Sequence, residues 1–509
     1  MKYKRSAGVL LHPTSLPGSY GIGDIGPQAY RWIDFLANSN CGLWQVLPLG
    51  PTGYGDSPYQ CFSAFAGNFY LVSPERLLEQ ELLTAADLAD TPHFPADKVD
   101  YGLVIAWKLQ ILGRAYDRFR AARSEVLKTR FAEFCRDQAG WLDDFSLFMA
   151  LKEAHHGAAW NHWEAALRDR DPIELQRAIR ELSAAIERHS FWQFLFFDQW
   201  IKLREYAHLH KIALIGDLPI FVAHDSADVW SHQELFYLDH LKRPKFQAGV
   251  PPDYFSSTGQ LWGNPLYRWR AHKSSGYQWW IERVRSTLNL VDLIRLDHFR
   301  GFVGYWEVPG RAKTAEKGRW VKAPGMDFFR TLKTALSDLP LIAEDLGVIT
   351  PDVITLRETF GLPGMKILQF AFASDPKDQF LPHNYPAHCV VYTGTHDNDT
   401  ARGWYERVPE EEKNFYRRYL NRDGSQVAWD LIRACWASVA RFALAPMQDF
   451  LGLGNSARMN YPGNPSGNWA WRLQEHDLSD DLARRIAEIN YVYDRTSLSR
   501  QQMYDAETG

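Results

Sequence analysis

Four short apolar runs in this chain end in acidic residues. Asp217 follows Leu-Ile-Gly, Asp297 follows Ile-Arg-Leu, Glu344 and Asp345 follow Leu-Ile-Ala, and Asp397 follows Thr-Gly-Thr-His. Carboxylates delivered by several strand ends to one mouth are a means of general acid, base and nucleophilic chemistry. Placing a charge there is costly unless it has a partner or a task. A structural ion pair explains any one of them, but four on separate strands are harder to dismiss. Arg295 precedes Asp297 by two residues, so on a strand the two share a face. The guanidinium then holds Asp297 ionised. Paired carboxylates, one ionised and one protonated, facing a cleft rich in aromatics suggest glycosidic-bond chemistry. Asp297 suits the nucleophile and Glu344 the acid. When Asp297 is glycosylated it loses its charge, and Glu344 then becomes free to act as a base.

Other chemistries fit less well. Gly21-Ile-Gly-Asp-Ile-Gly26 has the G-x-G-x-x-G pattern, but eight residues separate Leu11 from Tyr20 and the next run ends Val-Leu-Pro-Leu-Gly with no acid. A nucleotide cofactor therefore lacks its context. His396, Asp397, Asn398 and Asp399 could be read as metal ligands, yet they lack the glycine and distant glutamate of a calcium loop. We expect no metal and no cofactor.

The elements that must hold these residues are legible as eight apolar runs. They begin at Gly8, Cys41, Ile212, Leu293, Leu341, Met365, Val390 and Arg441. Such near-continuous runs read as buried parallel strands. Helical patterns lie between several of them, among them Pro27–Ala37 with proline at a first helical position. Eight units point to an α/β fold, a closed (β/α)8 barrel, although a doubly wound sheet gives similar local signals. The 161 residues between Gly50 and Ile212 exceed any crossover. We expect one catalytic barrel over 1–509, a mainly helical insertion at 51–211, and a loop-rich insertion at 221–277 over the cleft. The helical stripes Leu109/Leu112/Tyr116/Phe119 and Leu175/Ile179/Leu182/Ile186 read as core faces.

Composition narrows the partners. The 509 residues carry 57 Lys plus Arg against 61 Asp plus Glu, a net charge of −4, so nothing favours nucleic acid or another polyanion. Aromatic residues make up 14%, including 20 Trp, and such rings pack cores and stack on sugars. Five cysteines, none in C-x-x-C, fit a reducing compartment. The apolar run near the N-terminus is short and soon meets Pro13, and no stretch approaches a membrane span. The expectation is a cytoplasmic enzyme acting on a neutral substrate.

Specific segments sharpen this. Gly8-Val-Leu-Leu-His-Pro-Thr-Ser-Leu-Pro17, Trp44–Pro51, Gly55-Asp-Ser-Pro-Tyr59, Gly216–Ile220 and Pro251–Ser256 come first, in that order. Ile294-Arg-Leu-Asp-His-Phe-Arg-Gly301, Ala343-Glu-Asp-Leu-Gly347 and Tyr392–Thr400 follow. Together, from Gly8 to about Trp471, the chain resembles the amylomaltases, bacterial 4-α-glucanotransferases of the α-amylase superfamily. The resemblance implies a barrel without a separate C-terminal β-domain. It also implies retaining transfer of α-1,4-glucan segments between maltooligosaccharides or amylose chains, in a monomer or homodimer. Asp297 is then the nucleophile, Glu344 the acid/base, and Asp397 the stabiliser of the transition state. Tyr59, Asp217, Arg295, His298 and His396 match positions around the reacting sugar. Phe255, Gln260 and Trp262 match a covering loop on the acceptor side, and Tyr54 and Tyr101 a second glucan site. A hydrolase of the same fold and a non-catalytic glucan-binding protein are the alternatives. Three intact carboxylates argue against the latter.

Overall fold

The computed structural model describes residues 4–121, 124–252, 256–464 and 466–496. Among these the strands are, in chain order, β1 (Ser6–Leu10), β2 (Leu43–Gln45), β3 (Ala213–Leu218), β4 (Phe246–Val250), β5 (Gln260–Pro265) and β6 (Leu293–Leu296). They continue with β7 (Gly304–Pro309), β8 (Arg319–Lys322), β9 (Leu341–Ala343), β10 (Gly364–Ile367), β11 (Cys389–Tyr392) and β12 (Phe442–Pro446). Eight of them close a barrel in the order β1-β12-β11-β10-β9-β6-β3-β2, every pair parallel. Each of the eight apolar runs supplies one barrel strand. The barrel closes because β1 pairs with β12 from Ser6↔Phe442 to Leu10↔Pro446. Arg495, buried beside that seam, donates to the carbonyls of Ser6 and Trp436.

Strand periodicity decides what faces the barrel axis. Leu43, Ala213, Ile215, Leu293, Ile342, Met365, Ile367, Val390, Tyr392, Phe442 and Leu444 form one cluster inside the barrel. Their neighbours Trp44, Leu214, Ile294, Leu341, Val391 and Ala443 join the larger core under the helices. Two residues beyond Ile215 and Leu293, the same alternation brings Asp217 and Arg295 inward at the carboxyl ends of β3 and β6. Gln45 and Tyr392 are at the same level, and the Tyr392 hydroxyl donates to Gln45 Oε1 at 2.8 Å.

Between β2 and β3 the extra chain is largely helical. Its three long helices are Tyr101–Ala121, Glu125–Ala154 and Ser183–Leu209. Aromatic side chains knit these helices together: Phe119 stacks on Phe191 at 4.2 Å, and Phe131 meets Phe191 edge-on. Side-chain amides dock this layer onto the barrel side. Gln193 accepts from Gly67 N at 2.7 Å and donates to Gly67 O at 2.9 Å, and Gln199 Oε1 accepts from Ser73 N. The stripe expected on the first helix is buried at Leu112, Tyr116 and Phe119, but Leu109 is exposed. Lys108, Ile111 and Ala115 complete the inward face instead. The second stripe does not run on one helix. The chain breaks at Leu182, between helices Pro172–Glu181 and Ser183–Leu209.

The stretch 221–277 carries regular elements among its loops. It holds β4 and β5, which join β7 and β8 in an antiparallel sheet ordered β5-β4-β7-β8. A hairpin whose pairing partners lie some sixty residues further on leaves no local signature beyond short mixed runs. The glycine motif at 21–26 is a packing turn. Gly21 has φ +76° and lies where any Cβ would strike Phe94, and a Cβ on Gly23 would strike the Pro13 carbonyl. Past Trp471 one helix, Asp480–Val492, packs on helix Pro27–Asn38, and no β-domain follows among the described residues. No helix among the described residues is long and apolar enough to cross a membrane.

Candidate active site

At the carboxyl ends of β3 and β6, Asp217 and Arg295 are cross-strand neighbours. Arg295 Nη1 contacts both Asp217 oxygens, at 2.9 and 2.7 Å, and also Asp297 Oδ1 at 3.0 Å. The Tyr59 hydroxyl donates to Asp217 Oδ2 at 2.8 Å. Side-chain exposure separates a sealed floor from an open surface. Asp217 and Arg295 are 0% and 4% exposed, whereas Asp297 and Asp397 keep 28% and 44%. Burial lifts Asp217 to about 6 against the pull of Arg295, so the pair is ionised at neutral pH. One guanidinium nitrogen thus anchors a buried carboxylate and presents its charge to an accessible one.

Glu344 follows β9 and is held by two backbone amides. His298 N donates to its Oε2 at 2.8 Å and Leu346 N to its Oε1 at 3.0 Å. His298 sits in the left-handed region, φ 48°, which turns its amide toward Glu344 directly after Asp297. The two carboxyl groups are therefore neighbours by construction. Burial raises Glu344 to about 8, with Arg295 opposing and the Asp297 charge adding to the rise. At pH 7 Glu344 holds its proton.

Asp397 follows β11. Asn460 Nδ2 donates to its Oδ1 at 2.6 Å, and His396 Nε2 lies 3.3 Å from its Oδ2. Arg458 bonds the Asp397 carbonyl at 2.6 Å and the Asn460 carbonyl at 2.7 Å. Burial alone would raise this carboxyl, but His396, Asn460 and Arg295 outweigh it and hold it below the usual carboxylate range. His396 is in turn stacked against Tyr59 at 5.2 Å, with Trp469 beside both rings.

Of the remaining expected residues, Trp262 on β5 meets His298 edge-on at 4.9 Å and bonds Gln260 Oε1 through its Nε1. Burial lowers His298 to about 4, so the ring is neutral at pH 7. Phe255 lies outside the described residues. Tyr54 is 78% exposed on the turn Tyr54–Asp56. Tyr101 differs from it: its ring is buried and its hydroxyl donates to Trp469 O at 3.0 Å. The side chains of 396–399 are committed to one another and to the protein: Asn398 accepts from Thr395, and Asp399 pairs with Arg407 and Asn455. Asp345 turns away to Arg357 and the Met365 amide.

Three residues of the site were not foreseen: Arg458, Asn460 and Trp469. They lie on the chain after β12, about 60 residues or more beyond Asp397, in a segment with no run or motif of its own.

A closed parallel barrel with charged side chains gathered at the carboxyl ends of its strands defines the class, a (β/α)8-barrel enzyme. Within that class the chain belongs to the 4-alpha-glucanotransferase family, whose model matches residues 11–479. It is 52% identical over 503 residues to the 4-alpha-glucanotransferase of Thermus thermophilus, covering 97% of this chain and all of that one. The Synechocystis 4-alpha-glucanotransferase is 49% identical over 496 residues, covering 97% and 98%. The amylomaltase from Streptococcus agalactiae, solved in complex with acarbose, matches with a TM-score of 0.94 at 39% identity, over 97% of this chain and 100% of that one.

Proposed function

We propose that this enzyme transfers α-1,4-glucan segments between maltooligosaccharides by a retaining double displacement at Asp297 and Glu344. The observation that carries the reading is the pairing of a half-open carboxylate on Arg295 with a neighbouring carboxyl that keeps its proton to about pH 8. In the first step an Asp297 oxygen bonds to the anomeric carbon. The bond from that carbon to the glycosidic oxygen of the leaving glucan breaks, and Glu344 gives its proton to this glycosidic oxygen. Glycosylation removes the Asp297 charge, one of the causes of the raised Glu344 value, so Glu344 releases protons more readily in the intermediate. In the second step an acceptor hydroxyl attacks the anomeric carbon, its proton passes to Glu344, and Asp297 leaves as carboxylate. Asp397, held ionised, grips sugar hydroxyls and favours the distorted ring. Tyr59 and His396 supply a flat wall for the reacting sugar, and Trp262 with Gln260 the acceptor side.

Transfer competes with hydrolysis only through the acceptor. A sugar hydroxyl held in place has an effective concentration far above that of bulk water. Incubation with maltotriose tests this: glucose and longer oligomers should accumulate with almost no net gain in reducing ends. A rise in reducing ends that matches bond cleavage would make the enzyme a hydrolase.

Asn460 is expected to matter through Asp397. Asn460→Ala should lower kcat by about 10- to 100-fold with little change in KM, because a misaligned group is felt in the transition state. Asn460→Asp, which sets a second negative charge at Asp397 Oδ1, should move the acidic limb of the rate profile to higher pH. An unchanged profile together with near-normal kcat would remove Asn460 from the site.

A further inference from the structure

All twenty tryptophans lie among the described residues, and Trp320 is the one of them that is exposed, at 43%. It stands on β8, the edge strand of the sheet β5-β4-β7-β8, whose opposite edge carries Trp262. An exposed indole on its own needs no explanation. This one is held by parts of the active site. Arg300, three residues after Asp297, lies 3.8 Å from the ring centroid, an arginine–aromatic stack. The same guanidinium donates to the carbonyl of Val348, four residues after Glu344, at 2.6 Å. Val348 is itself 64% exposed. Across the sheet Trp306 is the register partner of Trp320, with its ring at 5.2 Å and 64°. Trp306 is fixed in turn through its Nε1–H to the Ala315 carbonyl at 2.8 Å. The result is a rigid, partly open indole that costs no further ordering when a ligand stacks on it. It borders the loops that bear both Asp297 and Glu344.

From this we infer that Trp320, braced by Arg300 and Trp306 and flanked by Val348, is an outer acceptor subsite for the α-1,4-glucan chain. The inference rests on the reading given under Proposed function. The occupant is a neutral glucan because the flat apolar ring sits at the rim of a mouth that processes one. The acceptor side follows from the sheet that Trp320 shares with Trp262. Exposed Lys322, two residues along β8 and so on the same face as Trp320, offers a donor to sugar hydroxyls, whereas Arg319 is paired with Glu307.

The test measures transfer from saturating amylose to radiolabelled acceptors of increasing length, glucose through maltoheptaose, for the full-length enzyme and for Trp320→Ala and Trp320→Phe. Trp320→Ala should leave glucose and maltose within about twofold of wild type and lower kcat/KM for the long acceptors by about 2- to 10-fold, the size of one ring contact. Trp320→Phe should recover part of the loss. If wild type elongates every acceptor and Trp320→Ala shows the same length dependence, or loses glucose and maltoheptaose equally, the subsite is wrong. If wild type elongates no labelled acceptor, the transfer reading itself fails.

Discussion

Asp297→Asn is expected to lower transfer by about 10⁴-fold or more, while the protein stays folded and still binds glucan. The size follows from removing the group that makes and breaks the covalent bond, a loss of the order seen for other enzymic nucleophiles. The fold should survive because the side chain is 28% exposed and its one close ionic partner, Arg295, remains paired with Asp217. Circular dichroism should match wild type, and titration calorimetry with maltoheptaose should still give a binding isotherm. A covalent sugar trapped on Asp297 of the wild-type enzyme, with none on the variant, would complete the assignment. Residual turnover within about a hundredfold of wild type would mean that another residue is the nucleophile.

Glu344→Gln should lower kcat on maltooligosaccharides by about 10²- to 10⁴-fold, the range for loss of a general acid. The deficit should shrink with a glucosyl fluoride donor, whose departure needs little protonation. Full activity on maltotriose would exclude Glu344 as the acid. In the wild type, glycosyl-enzyme formation should decline as pH rises through about 8, because the free enzyme then loses the proton it must donate. The same substitution should remove a pH dependence of stability. The folded-state value is raised above the ordinary value near 4.5, so the unfolded chain binds fewer protons between pH 4.5 and 8. Stability then falls as pH climbs through that window. A neutral amide does not titrate, so the Tm of the variant should change less than that of wild type between pH 5 and 8, on top of a fixed cost for turning its NH2 toward the His298 or Leu346 amide. A wild-type Tm that changes no more than the variant's from pH 5 to 8 would contradict the raised value.

The sequence carried the barrel because each strand is a short apolar run buried on both sides, a pattern that needs no long-range information. It carried Arg295 with Asp297 for the same reason, since a two-residue spacing on a strand fixes the face. The acid role of Glu344 reads from a strand-end carboxyl beside Asp297, the role of Asp397 and the contacts around the sugar come from the family resemblance, and the structure adds what no spacing reveals. Arg295 spends most of its contacts on Asp217, 78 residues earlier. The Glu344 clamp depends on a left-handed His298 backbone, which nothing in Leu-Asp-His-Phe announces. Asn460, Arg458 and Trp469 reach the site from a segment without periodicity, and the β4–β5 hairpin is completed by β7 and β8 across an intervening barrel strand. Tyr101 matches a second glucan site by resemblance, and that its ring is buried with its hydroxyl on the Trp469 carbonyl is likewise beyond any spacing.

The β1–β12 seam also sets an order of assembly. Ser6 pairs with Phe442, a separation of 436 residues. At ribosomal speeds of roughly 5–20 residues per second, the first strand emerges some 20–90 s before the strand that completes its ladder. Contacts so distant along the chain form late and slow the search for the native topology. Until then one edge of β1 offers open hydrogen-bonding groups, a template for mispairing between nascent chains. The segment that fixes Asp397 is made later still, followed among the described residues by helix Asp480–Val492 and the seam residue Arg495. A chain interrupted before Phe442 would carry every one of its three central carboxylates and yet lack the closed ring that aims them.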